Sequence, residues 1–140
     1  MFERILPAVD GSEHGYKAAR TAADLARTMK SERLRIVVVF EKIPAYLGEP
    51  NLQKAIDTRL VEAQEILQKA VEIVGDVPAE VHTEWIEGDA AESIIEVART
   101  RNSDVIVMGS RGLGRLAGLV LGSTSQKVVS HAPCPVLIVR

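Results

Sequence analysis

The residues best suited to chemistry lie between positions 109 and 125. Gly109-Ser110-Arg111-Gly112 is followed, nine residues later, by Gly122-Ser123-Thr124-Ser125, and the whole stretch comes directly after the apolar run Val105-Ile106-Val107-Met108. A buried strand that opens into a glycine-rich loop, with hydroxyl residues at the following helix start, can wrap a phosphate chain in backbone N–H groups. From Val105 to Arg140 there is no Asp or Glu, whereas Arg111, Arg115, Lys127 and Arg140 are all present. The loop is therefore charged for an anion. A second group, Asp10, closes the first apolar run at Val9-Asp10-Gly11-Ser12. Its carboxylate can accept hydrogen bonds from ribose hydroxyls or an amine, help hold a metal, or simply turn the strand end.

Composition bounds these possibilities. The 140 residues suit one domain spanning 1–140, and 46% apolar with 26% charged residues is ordinary for a globular chain. The formal charge of −2 hides an asymmetry, because the acid-free tail carries +4 and residues 1–104 carry −6. This favours a local anion site over a general nucleic-acid surface. Cys134 is the single cysteine, which excludes an internal disulfide and a cysteine metal cluster. Placed between two prolines in apolar surroundings, it reads as an inert thiol. No basic-then-apolar leader opens the chain and no apolar run approaches the ~18–20 residues that span a bilayer, so a cytoplasmic protein without membrane contact is expected.

Short apolar runs alternate with amphipathic segments, as positioning such a loop requires. Strands are expected at Arg4–Val9, Arg35–Phe40, Val81–Ile86, Asp104–Met108 and Pro135–Val139, the third near a sheet edge. Ser12 can cap a helix whose inward face is Ala18, Ala19, Ala22, Ala23, Ala26 and Met29. A longer helix carries Leu52, Ile56, Leu60, Ala63, Leu67, Ala70 and Val74, and stops at Gly75. Asp89 and Glu92 fit a capping pattern for a third helix with Ala91, Ile94, Ile95 and Ala98 inward, and Ser123 with Gln126 fits a capping box for the last. This alternation means an α/β fold: a parallel sheet with helices on both faces and right-handed crossovers. Ligands in such sheets sit beyond the carboxyl ends of the strands where strand order reverses. If the first and fourth strands are neighbours there, Asp10 and the glycine loop flank one crevice.

Two familiar nucleotide motifs almost match and fail. Gly109 to Leu116 has P-loop glycine spacing, but Arg115 replaces the lysine and Leu116 the magnesium-binding hydroxyl. Gly112-Leu113-Gly114-Arg115-Leu116-Ala117 fits the dinucleotide fingerprint as a string, yet no acidic residue follows Asp104 to hold a ribose. The pattern glycine, two residues, glycine, nine residues, glycine and hydroxyl, with an Asp closing the first strand, resembles the ATP-binding branch of the universal stress protein family. The resemblance runs the length of the chain to Pro133-Cys134-Pro135-Val136-Leu137-Ile138-Val139. It implies a three-layer sandwich with a five-stranded sheet in order 3-2-1-4-5 and a bound adenine nucleotide, ATP with Mg²⁺ or else ADP or AMP. The base would lie near Asp10 and Val39-Phe40, the ribose against Asp10 and Gly109, and the phosphates on Gly112, Gly122, Ser123 and Thr124. Ala8, Val9, Gly11, Met108, Arg111 and Ser125 complete the implied contact set. It also implies a homodimer through Val136–Val139, serving a protein partner that the sequence does not name.

Lys127 has the wrong sign for a helix N-terminus, and a bound anion beside it would explain its place. His14, His82 and His131 have no metal-ligand spacing and read as surface or satisfied histidines. Trp85 reads as packing, since no basic-aromatic interleaving surrounds it. Phosphoryl transfer needs a metal clamp and a group that orients the nucleophile, and the loop offers holding groups instead. The expected function is therefore an ATP-dependent regulatory binding module with at most slow hydrolysis. The rival readings are a nucleotide hydrolase or adenylyl-transferring enzyme, and a nucleotide-free dimeric scaffold.

Overall fold

A computed structural model describes residues 1–111 and 121–140. Within them the chain forms β1 (Arg4–Val9), α1 (Glu13–Met29), β2 (Arg33–Phe40), a 3-10 turn (Ala45–Leu47), α2 (Asn51–Val74), β3 (Glu80–Glu87), α3 (Ala90–Thr100), β4 (Val105–Gly109), α4 (Ser123–His131) and β5 (Val136–Val139). The five strands are parallel in the order β3-β2-β1-β4-β5. Strand order thus reverses between β1 and β4, as the alternation and the family resemblance led one to expect.

Strand periodicity divides the core into two faces. Ile5, Val9, Leu34, Ile36, Val38, Val105 and Val107 face α1 and α2, while Leu6, Ala8, Val37, Ile106 and Met108 face α3 and α4. The first face accepts α1 closely because α1 presents only small residues, Ala18, Ala19, Ala22, Ala23 and Ala26, all fully buried. Met29, expected on that face, is instead exposed, because the helix ends there and Lys30 reverses the chain with positive φ. β2 begins two residues earlier than its apolar run: Arg33 donates its N–H to Glu3 O at 2.9 Å and pairs with Arg4, so ladder bonding extends the strand beyond its hydrophobic part.

The apolar stripe of α2 is buried at Ala63, Ala70 and Val74 but exposed at Ile56 and Leu60. Length explains the difference: at ~1.5 Å per residue its 24 residues run about 36 Å, against about 26 Å for the eight-residue β2, so the helix overhangs the carboxyl end of the sheet. Two tethers set the frame from the opposite end. The Asp104 carboxylate accepts N–H bonds from Glu3 and Arg4 at 2.9 and 2.8 Å, fixing the start of β1 against that of β4. Arg27 donates to Val74 O and Asp76 O, holding the end of α1 to the end of α2.

β4 ends where α1 begins, and the approach leaves no room for a side chain. A Cβ on Gly109 would lie 2.7 Å from His14 Cβ and 2.9 Å from the His14 carbonyl carbon. Gly109→Ala should therefore destabilise the fold by about 1–3 kcal/mol, the usual range for overpacking, read from the urea midpoint; an unchanged midpoint would show that the α1 start yields freely.

Candidate functional site

The reversal point collects the carboxyl ends of β1 and β4 and the N-termini of α1 and α4. On the β1 side, Asp10 Oδ1 accepts the Ser12 N–H at 3.0 Å and the Ser12 hydroxyl, and Ser12 in turn caps α1 by accepting Gly15 N–H at 3.1 Å. The tight turn needs Gly11, which has φ +87°. Asp10 thus does turn the strand end, but with one oxygen only; Oδ2 accepts no hydrogen bond among the described residues. Tyr16, one turn into α1, has its phenol pKa pushed up by burial and by the Asp10 charge.

On the β4 side, Ser110 O accepts Gly122 N–H at 2.7 Å, joining the two ends of the glycine loop, and the buried Ser125 hydroxyl donates to Gly109 O at 2.8 Å. Gly112 lies outside the described residues, as do Arg115 and the stretch used in the two rejected motifs. The expected capping box does not form. Gly122 is the N-cap of α4, no side chain caps it, and the Gln126 amide instead donates to Leu121 O at 3.0 Å. The first N–H groups of α4 are thereby left without a side-chain acceptor, with Ser123 exposed and Thr124 partly buried beside them.

The glycines at 109 and 122 have different reasons to be glycine. Gly109 is demanded by His14. Gly122 has φ −69° and ψ 162°, open to any residue, and an added Cβ there comes no nearer than 3.4 Å to Ser110 O. Among the described residues nothing requires glycine there.

The flanking positions separate by face. Ala8, Val39 and Met108 pack toward α3 and α4, while Val9 and Phe40 pack toward α1 and α2. Phe40 meets Trp85 edge-on at 6.4 Å and carries the Arg59 guanidinium 4.6 Å over its ring, so Trp85 is packing, as read. Arg111 is partly buried at the last described position before the loop.

Three local readings change. Lys127 pairs with Asp89 at 3.6 Å and Glu92 at 3.4 Å, so its place at the start of α4 is answered by carboxylates of α3 and needs no bound anion. The same two acids, read as caps alone, hold α4 to α3, and Asp89 still caps α3 by accepting Glu92 N–H at 2.9 Å. His82 and His131 are satisfied, by Glu80 at 2.9 Å and Lys127 O at 3.0 Å. His14 is not: it is buried, and its Nδ1 has no partner among the described residues. Composition carried no signal for this, since it arises from the α1–β4 approach. The Cys134 thiol is held protonated by burial and then by the Asp104 charge, in keeping with an inert side chain. Among the described residues no group of three or more His, Cys, Asp and Glu is placed to hold a metal, and no helix is long and apolar enough to cross a membrane.

The Glu92 N–H bond, and secondarily Lys127, holds the Asp89 carboxyl below 3.8. A depressed carboxylate stabilises the fold above its unfolded pKa and loses that contribution as pH falls through the folded value. Asp89→Ala should cost about 1 kcal/mol near neutral pH through the lost cap, a difference that shrinks below pH 3.8, whereas Asp89→Asn should keep the cap. Urea midpoints at the two pH values test this; an Ala penalty independent of pH would count against it.

Known proteins share this arrangement. The sequence profile of the universal stress protein family matches residues 1–140. A universal stress protein of Thermus aquaticus is 45% identical over 140 residues, covering 100% of both chains. Universal stress protein UspA from Lactobacillus plantarum superimposes with a TM-score of 0.87 at 26% identity, covering 99% of this chain and 98% of that one. The universal stress protein from Archaeoglobus fulgidus in complex with dAMP shares the fold at a TM-score of 0.69 and 22% identity, covering 99% and 98%. With a reversal-point crevice of this construction and a family match along its entire length, the chain belongs to the universal stress protein family.

Proposed function

We propose that the protein is a nucleotide-dependent regulatory module that binds ATP with Mg²⁺ in the β1–β4 crevice and hydrolyses it slowly or not at all. The observation that carries this reading is Gly122: its backbone is unstrained and the described residues around it admit a Cβ, yet it stands at the start of a helix whose first N–H groups have no side-chain acceptor among the described residues. A glycine that the described residues do not demand suits the close approach of a phosphate. Asp10 Oδ2 offers a free acceptor to a ribose on the other wall. The Archaeoglobus neighbour's dAMP supports an adenine nucleotide on this fold. The residues proposed to hold it are those the family resemblance implies: Ala8, Val39 and Met108 on the α3–α4 side, Val9 and Phe40 on the α1–α2 side, Asp10, Gly11 and Gly109 at the strand ends, and Arg111, Gly112 and Gly122 with Ser123, Thr124 and Ser125 around the phosphates. Bound Mg²⁺ would neutralise phosphate charge. The groups named there hold and orient, and the one carboxylate among them, Asp10, is assigned to the ribose.

Gly122→Val should abolish ATP binding in calorimetry while lowering the stability read from urea unfolding by only about 1 kcal/mol, the cost of replacing a good N-cap residue by a poor one. Asp10→Ala should weaken binding by about 1–3 kcal/mol, with Asp10→Asn as the control that retains the Ser12 contacts. Equal ATP affinity in all three variants would refute the assignment.

The two sheet edges differ in a way that supports a homodimer. β3 carries Glu80, His82, Glu84 and Glu87, with Glu84 paired to Arg35 at 3.2 Å, whereas β5 is Val136-Leu137-Ile138-Val139 with Leu137 exposed. An apolar edge without charges invites strand pairing, and two copies related by a two-fold axis satisfy it. Lysine at both Leu137 and Val139 should give monomeric or insoluble protein. A wild-type chain that scatters light as a strict monomer at micromolar concentration would refute the dimer.

A further inference from the structure

We infer that His14 is a nucleotide-sensing residue at the floor of the crevice: its Nδ1, unpartnered in the ligand-free fold, acquires its hydrogen-bond partner when an adenine nucleotide binds. The inference rests on the nucleotide reading above and assigns a residue outside the set implied there.

The placement comes from two close approaches. A Cβ on Gly109 would strike His14 Cβ, carbonyl carbon and oxygen at 2.7–3.0 Å, and a Cβ on Gly15 would lie 2.8 Å from Asp10 Oδ1. The His14-Gly15 segment therefore fills the gap between Asp10 and Gly109, the two residues that flank the proposed ribose. A histidine ring always presents a donor or an acceptor at Nδ1. Here that atom is sealed from solvent and has no partner among the described residues, although the residue is only 8% exposed. Buried polar atoms are nearly always paired, so an orphan costs stability and calls for a reason. A leucine of similar size would fill the same space without that cost. Histidine at this position makes sense if the unpaired state belongs to the empty crevice alone. A rotation of the ring then brings Nδ1 to an oxygen of the bound nucleotide, directly or through one enclosed water, and ligand binding removes a defect from the fold.

The test compares wild type, His14→Leu and His14→Asn in thermal unfolding without ligand and in calorimetry with ATP and with AMP. His14→Leu should melt no lower than wild type when empty, yet bind both nucleotides about tenfold more weakly, the scale of one lost hydrogen bond to a charged or polar partner. His14→Asn, which keeps a polar atom near the Nδ1 position, should retain affinity within about threefold. A second readout needs no variant to fold well: the ¹⁵N resonance of the His14 ring in the wild-type protein should move on addition of ATP, while those of His82 and His131 stay in place. Wild-type affinity in His14→Leu, or a stationary His14 resonance in protein saturated with ATP, overturns the assignment and leaves the nucleotide reading standing. Failure of the wild-type protein to bind either nucleotide overturns both.

Discussion

The first turn of α1 and the last residue of β4 meet with nothing between them but hydrogen atoms, and much of the crevice follows from that approach. Because Gly109 has no side chain, His14 can rest on it, and α1 can leave β1 through Gly11 at an angle that lays five alanines on the sheet. With α1 in that position, Asp10 turns back on Ser12, which commits one carboxylate oxygen and leaves the other without a hydrogen bond among the described residues. On the far side Gly109 is held through its carbonyl by the Ser125 hydroxyl, so α4 begins at a fixed height above β4. One glycine thus sets the relation between two helix N-termini and a carboxylate.

Much of this was legible beforehand because it depends on local rules. Asp10, Gly11 and Ser12 announce a turn and a cap wherever they occur after a strand, and the alternation of apolar runs with alanine-rich or leucine-rich stripes has few topological solutions. The parts that were not legible depend on contacts between distant segments. Lys127 looks like a misplaced charge until α3 brings Asp89 and Glu92 to it. Ser123 looks like a cap until Gly122 takes that place. Met29 and the first half of the α2 stripe obey helical periodicity perfectly, yet periodicity does not say where the sheet stops. The solitary Nδ1 of His14 is of the same kind: residue type suggested a satisfied or surface histidine, and only the α1–β4 contact buries it.

Charge follows a similar logic. The tail from Val105 onward contains only basic charges in the sequence, but in the fold one of them is answered by acids of the preceding segment. These carboxylates are themselves seated at the start of α3, where the helix dipole favours them. The two helices on that side of the sheet therefore begin differently: α3 starts on Asp89, with Glu92 in its first turn, and α4 starts on Gly122 with neither cap nor acid. At the reversal point itself, the start of α1 is capped by Ser12, whereas that of α4 has no side-chain cap among the described residues.

The unequal edges of the sheet have a consequence for how far it can grow. A sheet with two bare edges is a monomer in the chemical sense of a bifunctional unit, able to add copies at both ends without limit. Under the proposed β5 pairing this chain would be monofunctional. Its β3 rim carries Glu80, Glu84 and Glu87, so a neighbouring strand would bring like charges together, while the opposite edge, β5, is uncharged. Pairing through β5, as proposed, would consume that end in the first step and stop at a ten-stranded unit with a charged rim on either side.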